Sequence, residues 1–91
     1  MDIGQAVKRL QSGDRVCREG WNGKGMYLIL VPGSTFVVAD DKPIGMADPD
    51  LVGKPVSYRS HVDMKTAQDD FVPWVCSQTD LLANDWETYD G

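Results

Sequence analysis

Apolar residues near the start of the chain recur with the spacing of an α-helix. Between residues 3 and 10 they fall at i, i+3, i+4 and i+7, which places them on one side of a helix of about three turns. Asp2 precedes this stretch and Gln5 follows three residues later, the arrangement of a capping box. Gly13 supplies a signal for the helix end. The pattern predicts one amphipathic N-terminal helix.

Shorter apolar stretches predict β-strands in the middle of the chain. Residues 15–18 form a short strand-like segment, with Arg15 and Arg18 on opposite sides of it. Residues 26–31 are continuously apolar and predict a central strand. A turn at residues 32–34 and a β-branched stretch at residues 35–39 predict that the next strand pairs with it as an antiparallel hairpin.

Residues 56–64 return to a strand pattern in which side chains alternate between two kinds. One side is largely apolar, and the other carries the ionisable residues Arg59, His61, Asp63 and Lys65. One interpretation is a half-buried antiparallel strand with a solvated face. The other is that Arg59, His61 and Asp63 point into a pocket.

The remaining segments complete a small mixed fold. Residues 40–55 have scattered apolar positions with Pro, Gly and Asp, which predicts a long exposed loop: a lid, an oligomer contact or a plain solvent loop. Pro73 places residues 71–76 at a sheet edge or bulge. A capping sequence at Ser77 or Thr79 predicts a short helix, and residues 85–89 predict a last strand. The predicted fold class is α+β, with a small antiparallel sheet, the N-terminal helix and a short C-terminal helix in one domain of residues 1–91.

Composition narrows the classes of partner. The 91 residues carry 9 basic and 14 acidic side chains, a net charge of -5 that opposes binding to a DNA or RNA polymer. Residues 1–25, however, hold five basic and three acidic side chains, so a small anionic ligand remains compatible. Cys17 and Cys76 are far apart and His61 is the single histidine, which predicts free thiols and no metal site or cofactor. The chain shows no targeting or membrane-spanning pattern, so we expect a cytoplasmic protein.

A glycine-rich segment, GWNGKGM at residues 20–26, is the first candidate for binding. Asn22 and Gly23 favour a sharp backbone turn, whose exposed N–H groups can hold phosphate or carboxylate oxygens. Lys24 adds a positive charge, and Trp21 offers a flat surface for a base or sugar. The competing interpretation is a simple hairpin turn with Trp21 packed in the core.

Recognisable catalytic motifs are missing from the sequence. There is no nucleophile turn, no metal-ligand spacing and no Walker lysine, so catalysis would depend on His61 and scattered aspartates. The free N–H groups at the start of the predicted C-terminal helix could form a second anion site, although Asp80 already brings negative charge there. Binding without turnover is therefore the favoured class.

Three motifs taken together resemble a known family over essentially the whole chain. They are GWNGKGM at residues 20–26, HVDMKT at residues 61–66, and VPW with SQTDLLA and DW between residues 72 and 86. This combination closely resembles the second Thoeris anti-defence family of phage and prophage proteins. The match is weakest in residues 40–55.

The resemblance implies a specific, non-enzymatic function. Members of that family are homotetramers that sequester cyclic ADP-ribose isomers, glycocyclic ADP-ribose among them, made by TIR enzymes in the bacterial cytoplasm. Some are described as also binding cyclic dinucleotides at separate sites. The alternatives are an oligomeric protein that blocks a defence enzyme by direct contact, or a hydrolase of the same signal using His61 and Asp63.

The resemblance also implies a set of ligand contacts, with the pockets at subunit interfaces. Stacking on adenine falls to Trp21 and Trp74. Phosphate or ribose contacts fall to Asn22, Gly23 and Gly25, and hydrogen bonds to ribose or base fall to Ser77, Gln78, Thr79 and Asp80. Four further candidates are Lys24, Arg59, His61 and Asp63.

Overall fold

The N-terminal helix forms where the apolar spacing predicts it. In the computed structural model, which describes residues 1–21 and 24–90, helix α1 spans Ile3–Gln11. The Asp2 carboxylate accepts a hydrogen bond from the Gln5 N–H, and the Gln5 side chain accepts one from the Asp2 N–H, so the capping box is confirmed. The buried side chains of Ala6 and Leu10 anchor α1 to the sheet.

The strands form an antiparallel five-stranded sheet and a separate two-stranded sheet. The larger sheet has the order β6-β5-β2-β1-β7, and the smaller one pairs β3 with β4. Together with the N-terminal and C-terminal helices, this architecture confirms the α+β class. The elements after α1 are β1 (Val16–Arg18), β2 (Tyr27–Val31), β3 (Ser34–Val37), α2 (Pro43–Ala47), a 3-10 turn (Pro49–Leu51), β4 (Pro55–Tyr58), β5 (His61–Lys65), β6 (Phe71–Pro73), α3 (Gln78–Leu81) and β7 (Trp86–Thr88).

The predicted hairpin between β2 and β3 is wrong. Strand β2 pairs with β1 on one side and β5 on the other, so both of its edges are occupied. Strand β3 continues in the same direction and pairs with β4. The register Val31↔His61 continues as Ser34↔Tyr58, so β2 with β3 and β5 with β4 form one long ladder interrupted in the middle. We call the outer part of this ladder, residues 34–58, the arm.

At the interruption of the ladder, a close backbone contact requires glycine at position 33. A Cβ atom at this position would lie 2.6 Å from the Tyr58 carbonyl oxygen, which is closer than van der Waals contact allows. Pro32 beside it has no N–H to donate to the ladder. The local Pro-Gly signal therefore marks a break in a continuing strand and does not reverse the chain.

Residues 40–55 contain regular secondary structure, where the sequence predicts a long loop. They contain α2, the 3-10 turn and the start of β4, and they close the far end of the arm. Val38 is 2 % exposed, and its backbone exchanges hydrogen bonds with Lys54 and Gly53. Gly45 is also buried, against the Ala39 carbonyl. The irregular apolar spacing of this segment reflects two short helical pieces, which are too brief to show a period.

The larger sheet has two different faces. Its core face packs against α1 and carries Val16, Leu28 and Trp86, which with Ala6 and Leu10 form the buried cluster. Half-buried Val62 and Met64 of β5 join it, which confirms the half-buried strand. The opposite face, which we call the open face, points away from α1.

Aromatic and charged side chains share the open face. Tyr27 of β2 lies opposite Lys65 of β5. The Arg15 guanidinium carbon is 5.0 Å from the Tyr27 ring centroid and 4.9 Å from that of Tyr89, a cation–π arrangement. Phe71 on β6 is 51 % exposed and stands edge-on to Tyr27.

Within residues 1–21 and 24–90, no helix has the length and apolar character needed to cross a membrane.

Candidate functional site

Three tryptophans meet at one end of the core face. Trp86 is 2 % exposed and forms the base of the group. The Trp21 ring stands edge-on to it with centroids 5.4 Å apart, and Trp74 stands edge-on at 6.0 Å. Edge-to-face pairing is a favoured geometry for aromatic rings. Trp21 and Trp74 are half-buried, so a buried indole supports two that remain partly accessible.

Helix α3 brings Asp80 to this cluster. The Ser77 hydroxyl accepts a hydrogen bond from the Asp80 N–H at 3.0 Å, which confirms Ser77 as the N-cap. The Asp80 carbonyl accepts from Trp86 Nε1 at 3.0 Å, and its carboxylate Oδ1 accepts from Trp21 Nε1 at 3.1 Å. One short helix therefore holds two of the three indoles.

Arg18 links the same carboxylate to Asp85. Its Nη1 donates to Asp80 Oδ1 at 2.8 Å, while Nε and Nη2 donate to the two oxygens of Asp85 at 2.7 and 3.4 Å. Asp85 Oδ2 also accepts from the Gly20 N–H at 2.8 Å. We call Arg18, Asp80 and Asp85 the Arg18 clamp. The clamp joins β1, the start of the glycine-rich segment, α3 and the entry to β7.

The clamp shifts the pKa values of all three side chains toward their charged forms. Hydrogen bonds from Asp85 and then Asp80 raise the pKa of Arg18. The Arg18 hydrogen bond, which outweighs the opposing effect of burial, lowers the pKa of Asp85. Burial alone would raise the pKa of Asp80, but the hydrogen bonds from Arg18, Trp21 and Ser77 together lower it. Both carboxylates are therefore ionised at neutral pH.

The remaining predicted contacts are exposed or lie next to the open face. Ser77, Gln78 and Thr79 are exposed. Lys24 is exposed, and Gly25 has φ of 74° with its carbonyl accepting from Lys65 Nζ at 3.1 Å. Asn22 and Gly23 lie outside the described residues, so their predicted contacts stay predictions.

Arg59, His61 and Asp63 are placed apart from the tryptophans. His61 and Asp63 are on β5, opposite Val31 and Ile29, and so belong to the open face. Their side chains approach each other, with His61 Nε2 3.3 Å from Asp63 Oδ1. Arg59 is exposed in the break between β4 and β5. The structure does not bring this set together with Trp21 and Trp74.

The described part of the chain contains two free thiols and no group of side chains arranged to hold a metal ion. Across residues 1–21 and 24–90, no three His, Cys, Asp or Glu side chains are grouped so that they could hold a metal ion. Cys17 is buried and Cys76 exposed, and both are free thiols as predicted. Burial, followed by the nearby Glu87 carboxylate, raises the pKa of Cys17, so its thiol is the favoured form.

Sequence reasoning missed Arg18, Asp85 and Trp86 as parts of the site. A signal for Arg18 was present: it is two residues from Val16 on the same strand and therefore shares the core face with it. A charged side chain on a core face requires a partner of opposite charge. Two aspartates have this role: Asp80 lies in α3, and Asp85 lies directly before β7.

Comparison with known proteins identifies the family of the chain. The model of the Thoeris anti-defense 2-like domain matches residues 1–89. The chain is also 39 % identical over 87 residues to Thoeris anti-defense 2 of Bacillus phage SP01, covering 96 % of this chain and 92 % of that protein. The chain therefore belongs to the Thoeris anti-defense 2-like family.

Proposed function

We propose that this protein binds and holds a cyclic ADP-ribose isomer made by TIR enzymes of Thoeris immunity, without cleaving it. The family assignment and the name of the phage relative support a role against Thoeris defence. In the bacterial cytoplasm, capture would keep the signal from its effector. The ligand class is inferred from the resemblance together with the chemistry of the tryptophan site.

The observation that carries this proposal is the support of Trp21 and Trp74 by Trp86. Both indoles are held in place before any ligand arrives and remain partly accessible. One aromatic stack on a base contributes about 1 to 3 kcal/mol. A preset ring loses little entropy on binding, so more of that energy appears as affinity.

Polar groups of α3 and of the glycine-rich segment suit the rest of a cyclic nucleotide. Ser77, Gln78 and Thr79 are exposed at the start of α3 and offer hydroxyl and amide groups to ribose or base. Exposed Lys24 lies in the glycine-rich segment and offers a positive charge to phosphate. Each charge-assisted hydrogen bond to phosphate contributes about 1.5 to 3 kcal/mol.

The electrostatics of the site favour binding over hydrolysis. A general acid near neutral pH needs a raised carboxyl pKa, whereas the pKa values of Asp80 and Asp85 are lowered. His61 and Asp63 lie on the open face, away from the indoles. The carboxylates next to the tryptophans are therefore engaged in holding the site.

We further propose that the protein acts as a homotetramer with pockets at subunit interfaces. A chain of 91 residues has a small core, and its open face presents Tyr27, Ile29 and Phe71 away from α1. Oppositely charged side chains, Lys65 and Asp63, share that face, so a second copy could pair with it by charge as well as by apolar contact.

A heat-release assay tests the proposal. Purified protein is mixed with the product of a TIR enzyme, the unbound fraction is filtered away, and the protein is heated and its contents analysed by mass spectrometry. We expect depletion of the signal from the filtrate and recovery of the intact molecule, at no more than one equivalent per site. A cyclic dinucleotide run in parallel tests the second ligand class.

The Trp21→Ala variant tests the role of stacking, and two other results of the assay would indicate a different function. Trp21→Ala should remain folded and lose affinity by about fivefold to a hundredfold, the value of one stack. Recovery of a degraded product beyond one equivalent would instead show a hydrolase. A protein that blocks Thoeris while leaving every nucleotide in the filtrate would act by direct contact with a defence enzyme.

A further inference from the structure

We propose that the Arg18 clamp is a positioning device for Trp21. It sets the orientation of the Trp21 indole in the ligand-free protein, so that Arg18 and Asp80 control capture by acting through that ring. The effect on capture rests on the proposed function, in which Trp21 stacks on the ligand.

The indole of Trp21 is held at two points. Its one hydrogen-bond donor, Nε1–H, is 3.1 Å from Asp80 Oδ1. Its ring also stands edge-on to Trp86, with an angle of 80° between the planes. A contact at the edge of the ring and a contact across its plane together restrict rotation about both side-chain torsions. The Asp80 carboxylate therefore determines where the accessible side of the indole points.

The position of that carboxylate depends in turn on Arg18. The guanidinium is planar, and its donors have a fixed geometry. Nε and Nη2 are engaged with Asp85, which leaves Nη1 aimed at Asp80 Oδ1 at 2.8 Å. The side chains of Arg18 and Asp80 are only 15 % and 14 % exposed, so little water competes with this bond. A lysine ammonium would keep the charge but could not bond both aspartates with this fixed arrangement of donors.

The backbone next to Trp21 is held by the same residues. The Gly20 N–H donates to Asp85 Oδ2 at 2.8 Å, and the Trp21 N–H donates to the Arg18 carbonyl at 3.2 Å. A Cβ atom on Gly20 would lie 2.8 Å from Asp85 Oδ2, so a side chain there would displace the carboxylate. The clamp thus fixes both the main chain that enters the loop and the ring that follows.

Charge also favours positioning over direct contact with phosphate. The clamp contains two carboxylates and one guanidinium, which leaves one negative charge beside Trp21. A nucleotide phosphate would be repelled there. Asp80 Oδ1, in addition, already accepts hydrogen bonds from Arg18 and Trp21.

The test uses Arg18→Lys in the full-length chain. The matched control is Arg9→Lys, because Arg9 is 57 % exposed and its nearest carboxylate, Asp14, is 3.9 Å away. The first measurement is the indole N–H resonance of Trp21 in the ligand-free protein, assigned with Trp21→Phe. We expect this resonance to move in Arg18→Lys and to stay in place in Arg9→Lys. The Trp86 indole resonance reports whether the fold is kept.

The second measurement is affinity for the TIR product in a double-mutant cycle. Arg18→Lys should weaken binding by about tenfold or more in the wild-type background, the effect of losing a charged hydrogen bond. In the Trp21→Phe background the same substitution should have no further effect, since Arg18 acts through Trp21. If Arg18→Lys folds poorly, Asp80→Asn replaces it, with the same expected shift and loss.

Two results would overturn the positioning role. One is an unchanged Trp21 resonance in the clamp variant. The other is an equal loss of affinity in both backgrounds, which would make Arg18 or Asp80 an independent ligand contact. If the wild-type protein retains no nucleotide, the proposed function fails, and the Trp21 resonance still decides whether the clamp orients the ring.

Discussion

Asp80 connects parts of the molecule that are distant in sequence. Its carboxylate binds Arg18 and Trp21, its N–H binds the Ser77 hydroxyl, and its carbonyl binds the Trp86 indole. A hydrogen-bonded charge of this kind is costly to disturb, because removing one partner leaves the others unsatisfied. Asp80 therefore has a structural role in the ligand-free protein, and any ligand contact through its Oδ2 would be additional to that role.

The lowered pKa values of Asp80 and Asp85 predict that acid weakens the fold. Both values lie below the 3.8 of an unperturbed aspartate, so the unfolded chain binds protons more tightly. This contribution to stability is complete above about pH 5 and is lost as the pH falls through the lower, folded values. Urea unfolding between about pH 5 and about pH 2 should show a decline in the free energy of unfolding.

A double variant provides the control for this acid dependence. Asp80→Asn with Asp85→Asn removes both titrating groups, so its stability should be lower at neutral pH and depend less on pH over the same range. Asp41→Asn, at an exposed position, should leave the wild-type decline in place. An equally steep decline in the double variant would show that other carboxylates control the acid response.

Single residues also show what the sequence could and could not predict. Ser77 and Asp2 were predictable as caps, because a cap depends on neighbours within three residues. Trp21 and Trp74 were predictable as a pair of candidates but not as neighbours of Trp86. Their common contact joins residues more than ten positions apart, and a local pattern contains no information on such contacts.

At the scale of elements, the course of β2 and β3 is the clearest departure from expectation. Each strand was identified from its own residues, yet the pairing depended on β5 and β1, which occupy both edges of β2. Strand pairing is set by competition among all strands in the sheet, so adjacent strands need not pair. The edge position of β6 was predictable, since Pro73 cannot donate to a second neighbour.

Gly33→Ala should destabilise the arm selectively. The new methyl group would meet the Tyr58 carbonyl at 2.6 Å and force β3 and β4 apart, at a cost of about 1 to 3 kcal/mol. Amide hydrogen exchange should quicken at Val38 and Lys54 in the arm while Leu28 in the larger sheet stays protected. Ser34→Ala is the matched control, because Ser34 is exposed and adjacent. Equal acceleration in both sheets would mean that the arm does not unfold separately.

At the scale of the whole molecule, the fold is more elongated than a compact domain of 91 residues. Its principal extents are 46 × 26 × 25 Å, with the arm extending beyond the sheet that holds the core. The arm exposes Val37, Met46 and Tyr58, while the sheet exposes Phe71 on its open face. A small core combined with two apolar surfaces is the arrangement expected of a subunit stabilised by association.

The proposed homotetramer leads to a prediction that separates these two surfaces. If the open face is the contact, Ile29→Lys should replace an apolar side chain of that face with a charge that the interface would bury, and the tetramer should dissociate. Light scattering should then show the wild type at four times the 10.1 kDa chain mass, the variant at a lower mass, and nucleotide capture reduced together with it. Val7→Lys, at a position 42 % exposed on α1 and away from both surfaces, is the control that should remain tetrameric. Dissociation by Met46→Lys with Ile29→Lys still tetrameric would place the contact on the arm, because a new buried charge weakens only the interface that contains it.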